Sequence, residues 1–196
     1  MITLNLGMKK LLAWLKKLFG SSESGFTLIE LLIVITILGI LATAVLAAIN
    51  PLEQISRGRD TGSKSDAEQL LSGIARYNAA QGYYPWQTAP STTTRAVAWT
   101  QVTLAAPTDG TDPVLTKLGS AGTAELLPAY INRITATSYN PLFIYNKGGA
   151  GDSTYICFAP QSGQMQKEAD TRCTSAPTDY PAEACPSGGP NLVCLP

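Results

Sequence analysis

The chain of 196 residues contains no histidine. Zinc sites with His ligands, Ser-His-Asp triads and His acid/base catalysis are excluded with it. None of the four cysteines forms a C-x-x-C pair, which argues against zinc ribbons and thioredoxin-like redox motifs. There is no phosphate-cradling glycine motif and no pair of carboxylates at a recognisable catalytic spacing. Hydroxyls such as Ser162 have no visible base. No catalytic residue, metal ligand or cofactor site is therefore expected, and the reading is not an enzyme. Charged residues are scarce, at 14% of the chain, and the two signs balance, 14 against 14. The first 25 residues hold Lys9, Lys10, Lys16 and Lys17 against Glu23, so the remainder has 10 basic and 13 acidic side chains, a net of −3. That argues against nucleic-acid binding, which needs cations to neutralise phosphates.

What is present is a long apolar run. From Phe26 to Ile49 there are 24 residues, and Glu30 is the sole charged one. At about 1.5 Å per residue such a helix is roughly 36 Å long, enough to cross the hydrocarbon core of a bilayer. A charge at mid-membrane costs roughly 2.5–3.5 kcal/mol on insertion scales, and less near one end, where Glu30 sits. Two readings of Glu30 stand side by side: a carboxylate that reaches back to the headgroups, or one that awaits a cationic partner in a low-dielectric assembly.

Small residues, Gly20, Ser21, Ser22, Ser24 and Gly25, precede the apolar run rather than follow it, unlike an ordinary secretory signal. A cut at Gly25 leaves the helix on the mature chain. Met8-Lys9-Lys10 reads as an alternative start, and Leu11–Phe19 as a basic amphipathic stretch suited to an anionic membrane surface. The lysines before the span outweigh Arg57, Arg59 and Lys64 after it, which Asp60 offsets, so the N-terminus is expected in the cytoplasm. The cysteines Cys157, Cys173, Cys185 and Cys194 lie well beyond the span and suggest two disulfides in an oxidising compartment. Three connectivities exist. The favoured one is Cys157–Cys173 with Cys185–Cys194, because shorter loops cost less to close.

Ser24-Gly25-Phe26-Thr27-Leu28-Ile29-Glu30-Leu31-Leu32, opening an apolar run behind a basic leader, resembles the cleavage and methylation motif of type IV pilins and type II secretion pseudopilins. The resemblance implies a prepilin peptidase that cuts between Gly25 and Phe26 and N-methylates the new Phe26 amine. It also implies that Glu30 compensates the terminal amine of a neighbouring subunit during assembly. Membrane, peptidase, an inner-membrane assembly platform, other pilins and further copies of the chain are the implied partners. Many relatives carry a proline near Ala47; this chain has Pro51 instead. Tyr77-Asn78-Ala79-Ala80-Gln81-Gly82-Tyr83-Tyr84-Pro85 resembles the helix exit of pseudopilins and short pilins.

The rest of the chain reads in order. A boundary is expected at Asn50-Pro51. Residues 52–64, interrupted by Gly58 and Gly62, are expected to be weakly helical. Ser65-Asp66-Ala67-Glu68 reads as a capping box; Ala67, Leu70, Leu71, Ile74 and Asn78 follow at helical spacing, Leu70, Leu71, Ile74 and Tyr77 are the stripe expected to pack on a sheet, and the helix is expected to stop near Gln81-Gly82. Val97, Trp99, Val102 and Leu104 alternate with a phase slip, as in a strand or loop. Asp109-Gly110-Thr111-Asp112 reads as a turn in preference to a calcium site. Leu126–Ile131 predicts a short helix with Pro128 near its start. Leu142–Tyr145 and Thr154–Phe158 predict a hairpin across a glycine-rich turn. Beyond Pro160 a loop-like, disulfide-stapled tail is expected.

The expected fold is α+β: a long N-terminal helix, half transmembrane and half amphipathic, on a small antiparallel sheet with stapled C-terminal loops. The expected division is a leader at 1–25, a membrane and filament-core helix at 26–50, an amphipathic continuation at 51–82 and an extracytoplasmic domain at 83–196. The expected function is a structural filament subunit of a pilus. A secretion pseudopilin, and a minor pilin for adhesion or DNA uptake, are the alternatives.

Overall fold

The computed structural model describes residues 25–90, 95–119 and 124–196. The leader expected at 1–25 falls, apart from Gly25, outside the described residues. The chain divides into two compact units, up to Asn50 and from Pro51 onward.

The first unit is helix α1 (Leu28–Ala48), none of whose residues is buried. It satisfies its own polar groups: the Thr36 and Thr43 hydroxyls donate to the Ile33 and Ile40 carbonyls, at 2.7 and 2.8 Å. This internal bonding is what a helix in an apolar solvent requires. Ile49 turns extended, with φ −96° and ψ 124°. The boundary thus falls at Asn50-Pro51 as expected.

The second unit begins with α2 (Pro51–Gln81). Proline suits the first helical position, where its missing N–H is not needed. The helix runs unbroken through Gly58, Gly62 and Ser65, so Ser65-Asp66-Ala67-Glu68 is helix interior and not a cap. The reason is tertiary. One face of α2 buries Asp60, Ser63, Asp66, Ala67, Leu70, Gly73, Ile74 and Tyr77, a single stripe at helical spacing whose first half is polar. Hydrophobic periodicity detects the second half alone. Gly82, at φ +79°, ends the helix, and its N–H donates to the Asn78 carbonyl at 2.8 Å. That left-handed conformation favours glycine.

The apolar half of the stripe packs on a four-stranded antiparallel sheet in the order β1 (Val97–Gln101), β2 (Leu142–Asn146), β3 (Thr154–Phe158), β4 (Val193–Leu195). The predicted hairpin is β2–β3, with Leu142 opposite Phe158 and Ile144 opposite Ile156. These four side chains and Leu70 and Ile74 share one core. Each such side chain contributes about 1.5–3 kcal/mol on burial. The phase slip in β1 is a register irregularity: Val97 faces Asn146 while Thr100 faces Ile144. Gly73 allows the close approach of Leu126, whose Cδ2 would lie 2.8 Å from an added Cβ. Leu126 leads into α4 (Pro128–Ile134), with proline in its first turn as expected. The short α3 (Val114–Gly119) precedes it.

The polar half of the stripe holds loops and helices against α2. Fully buried Asp60 accepts the Gln161 and Ser162 N–H groups at 2.8 and 2.7 Å. Glu53, two turns earlier, accepts the Gly163 N–H at 3.2 Å. That bond, with a lesser contribution from Arg57, holds the Glu53 carboxyl below the usual carboxylate range. These donors open α5 (Gly163–Thr174), whose own cap is Ser162. The tail beyond Pro160 is thus not loop-like: it holds a 12-residue helix, a 3-10 turn (Ala182–Ala184) and β4. Ala169 is the one buried residue of α5, so the helix has no apolar stripe for sequence to reveal.

Further along, the Asp66 carboxylate receives Arg133 and Tyr139, and its backbone carbonyl receives the Tyr130 hydroxyl at 2.6 Å. Burial, and then the hydrogen bond to Asp66, raise the Tyr139 hydroxyl above the usual tyrosine range. Asp109 makes the predicted turn, its Oδ1 taking the Thr111 and Asp112 N–H groups at 2.7 Å each. Its other oxygen pairs with Lys117. Among the described residues no cluster of three metal-binding side chains occurs.

Two outcomes are expected for the full chain in detergent. Asp60→Ala leaves two N–H groups at the start of α5 without their acceptor and should lower unfolding free energy by about 2–4 kcal/mol, the range for charge-assisted bonds lost at a buried site, as read by urea titration. The second concerns pH. The hydrogen bond from Lys117, assisted by the Thr111 and Asp112 N–H groups, lowers the Asp109 pKa from 3.8 to about 2. A depressed folded-state pKa contributes stability above the unfolded value that is lost as pH falls through the folded one. The melting-temperature gap between wild type and Asp109→Asn should be constant above about pH 5 and close as pH falls from about 4 to 2.

Candidate functional site

Gly25, Phe26 and Thr27 precede the first helical residue, Leu28. Thr27 is extended, at φ −73° and ψ 148°, and caps α1. Its hydroxyl oxygen accepts the Glu30 N–H at 3.2 Å. The Glu30 Oε2 in return accepts the Thr27 N–H at 2.8 Å and the Thr27 hydroxyl at 2.7 Å. This is a reciprocal capping box, and it satisfies donors that the first turn of a helix leaves open. The positive end of the helix dipole also favours a carboxylate there.

Glu30 is therefore neither reaching outward nor bare. Its carboxylate is drawn back onto Thr27, the residue that follows Phe26. Phe26 itself is 82% exposed, and nothing lies within 4 Å of where a Gly25 side chain would start. The sequence reading named Gly25, Phe26 and Glu30 but passed over Thr27. The signal was there: Thr27-Leu28-Ile29-Glu30 has the S/T-x-x-E spacing of a capping box. The same rule applied at Ser65 picked a position that tertiary contacts hold inside a helix.

The four cysteines do form two disulfides, with a different pairing from the one expected. Cys157 of β3 bonds Cys194 of β4, and Cys173 bonds Cys185. Cys157 and Cys194 are direct cross-strand partners with Cα atoms 4.0 Å apart. Cys173 sits in the last turn of α5, 5.7 Å by Cα from Cys185 at the end of the 3-10 turn. Loop length was the wrong criterion, since each doubling costs only about 0.6 kcal/mol. The β3–β4 pairing brings the distant residues together and outweighs that difference.

Among the described residues one helix, Leu28–Ala48, is long and apolar enough to cross a membrane. Residues 20–46 match the family described as Prokaryotic N-terminal methylation motif, which is the signature of type IV pilins and pseudopilins. The matched stretch contains Gly25, Phe26, Thr27 and Glu30 and ends near the end of α1. No curated protein and no solved structure matches the chain. The motif and the apolar helix together fit a membrane-anchored, pilin-like or pseudopilin protein.

Nonreducing digestion and mass spectrometry should yield the cross-linked peptides Cys157–Cys194 and Cys173–Cys185. Recovery of Cys157 joined to Cys173 would contradict the observed pairing.

Proposed function

We propose that the chain is a structural subunit of a type IV pilus-like filament, made as a membrane precursor and polymerised through α1. The observation that carries this reading is the methylation motif placed directly on an exposed Gly25–Phe26 step, followed by an apolar helix with no buried residue. An apolar helix of that kind needs a non-aqueous surrounding. Lipid supplies it before assembly, and neighbouring copies of α1 supply it afterwards.

On this reading residues 1–25 form a cytoplasmic leader removed by prepilin peptidase. Residues 26–50 form the span and filament core, 51–82 an amphipathic helix, and 83–196 the displayed domain. Cleavage creates a Phe26 amine, and N-methylation leaves it positively charged. An unpaired charge in an apolar bundle is strongly disfavoured, whereas opposite charges attract. Glu30 then acts as a register device: a subunit at the wrong axial height leaves its own carboxylate and a neighbour's amine unpaired. An inner-membrane assembly platform and other pilins are the remaining partners.

One observation favours a pilus over a secretion pseudopilus. The Cys157–Cys194 disulfide joins β3 to β4 and encloses α5 and the 3-10 turn, an ordered region bounded by a disulfide, which resembles the disulfide-bounded loop of pilins. In the other direction, the Tyr83-Tyr84-Pro85 exit after α2 resembles pseudopilins.

Mass spectrometry of assembled material should find a chain that begins at methylated Phe26; a chain that begins at Met1 or Met8 would end the processing reading. Glu30→Val should leave membrane insertion intact and reduce filaments by at least about tenfold, since a charge pair in a low-dielectric core is lost. Electron microscopy of cells expressing wild type and variant provides the measurement. Long surface fibres would select the pilus, and their absence from cells that still secrete through this protein would select the pseudopilus.

A further inference from the structure

We infer that Thr27 is a positioning residue for precursor cleavage: its side chain stops α1 at Leu28 and so keeps the Gly25–Phe26 peptide out of the helix. The inference rests on the reading of Gly25–Phe26 as the processed bond, and deepens it. The reaction is hydrolysis. Water adds to the Gly25 carbonyl carbon, the bond to the Phe26 nitrogen breaks, and a Gly25 carboxylate and a Phe26 amine result.

An endopeptidase binds its substrate as extended chain, pairing with backbone N–H and C=O groups on both sides of the bond. A helix offers none, because those groups are bonded within it. In a membrane the pressure to bond them internally is stronger than in water. A span as apolar as α1 therefore tends to propagate its helix upstream, and something must stop it before the bond to be cut. The structure contains that stop. The first intrahelical bond runs from the Leu31 N–H to the Thr27 carbonyl at 3.2 Å. Thr27 itself is held extended, with its hydroxyl on the Glu30 N–H and its own N–H and hydroxyl on the Glu30 carboxylate. The Thr27 N–H is thereby withdrawn from helix propagation. Phe26 and Gly25 stay non-helical and exposed. Glycine at position 25 adds to the effect, as a poor helix former.

The two halves of the box are not equivalent in this role. The carboxylate can still reach the N–H of residue 27 when the hydroxyl is absent. The hydroxyl is the sole side-chain acceptor for the Glu30 N–H among the described residues. Thr27→Val keeps size and branching and removes that acceptor. Thr27→Ser and Thr27→Asn keep an N-capping oxygen on side chains of different shape.

The test compares these full-length precursors, co-expressed with a prepilin peptidase in bacterial membranes, for the rate at which the Phe26 N-terminus appears. Amide hydrogen exchange at Phe26 is measured in parallel on uncleaved precursor in micelles. Thr27→Val should slow cleavage about fivefold, the population change expected for a lost cap, and should protect the Phe26 amide from exchange. Ser and Asn variants should be cut within about twofold of wild type, with Phe26 unprotected. Cleavage of Thr27→Val at the wild-type rate would overturn the proposal, and so would an Asn variant as slow as Val, which would assign the effect to direct recognition of the threonine. Wild-type precursor cut elsewhere, or not at all, would instead remove the reading of Gly25–Phe26 as the processed bond. Membrane-inserted precursor is quantified in each strain, so that a variant lost to misfolding is not counted as slow.

Discussion

A fully buried carboxylate organises the second unit. Asp60 lies on α2 with no exposed surface and meets two backbone N–H groups at the mouth of α5. A buried carboxylate without such donors would be strongly unfavourable, so the arrangement ties the helix and the far end of the chain to one another. With Glu53 added, two acidic side chains on one face of α2 receive three successive N–H groups. From that point α5 carries Cys173 to its disulfide with Cys185, and the chain returns as β4 to close the sheet edge through Cys157–Cys194. Nearly two turns further along α2, Asp66 holds Arg133 and Tyr130 of α4 and Tyr139 just beyond it. The sheet packs on the apolar remainder of the stripe.

The first unit obeys the opposite rule. The polar side chains of α1 bond within α1 or its cap: the threonine hydroxyls to carbonyls one turn back, Glu30 to Thr27. No residue of the helix is buried. Such a helix is equally suited to lipid and to a bundle of identical helices. In the proposed filament the transfer between the two requires no change in internal hydrogen bonding. Glu30 alone then distinguishes a correct neighbour from an incorrect one. The capping box governs both where the helix begins and where the carboxylate rests.

Much was legible in order along the chain. The apolar run, the boundary at Pro51, the stop at Gly82, the β2–β3 hairpin and the proline-led α4 all follow from local chemistry: periodicity, conformational restriction and turn residues. Thr27 was equally local and could have been found from its spacing to Glu30. The failures have a common cause. Ser65 was misread as a cap because the preceding turn of α2 is polar, and its polarity is explained by Asp60 and Asp66 bonding partners 64 to 102 residues away. The α5 helix was missed because it buries Ala169 and little else, and begins on acceptors supplied by α2.

The disulfides divide the two kinds of information. Four cysteines beyond a membrane span were enough to expect two bonds. Which cysteines pair was a matter of which strands lie side by side, and loop entropy grows too slowly with length to decide it. By itself, then, the sequence determined the elements whose causes are near neighbours: an apolar helix, the residues that cap it, the turns and the hairpin. The tertiary structure alone decided the polar half of the α2 stripe, the existence of α5 and the pairing of Cys157 with Cys194. Each of these depends on a hydrogen bond or strand contact between residues far apart in the chain, which no local pattern of residue types encodes.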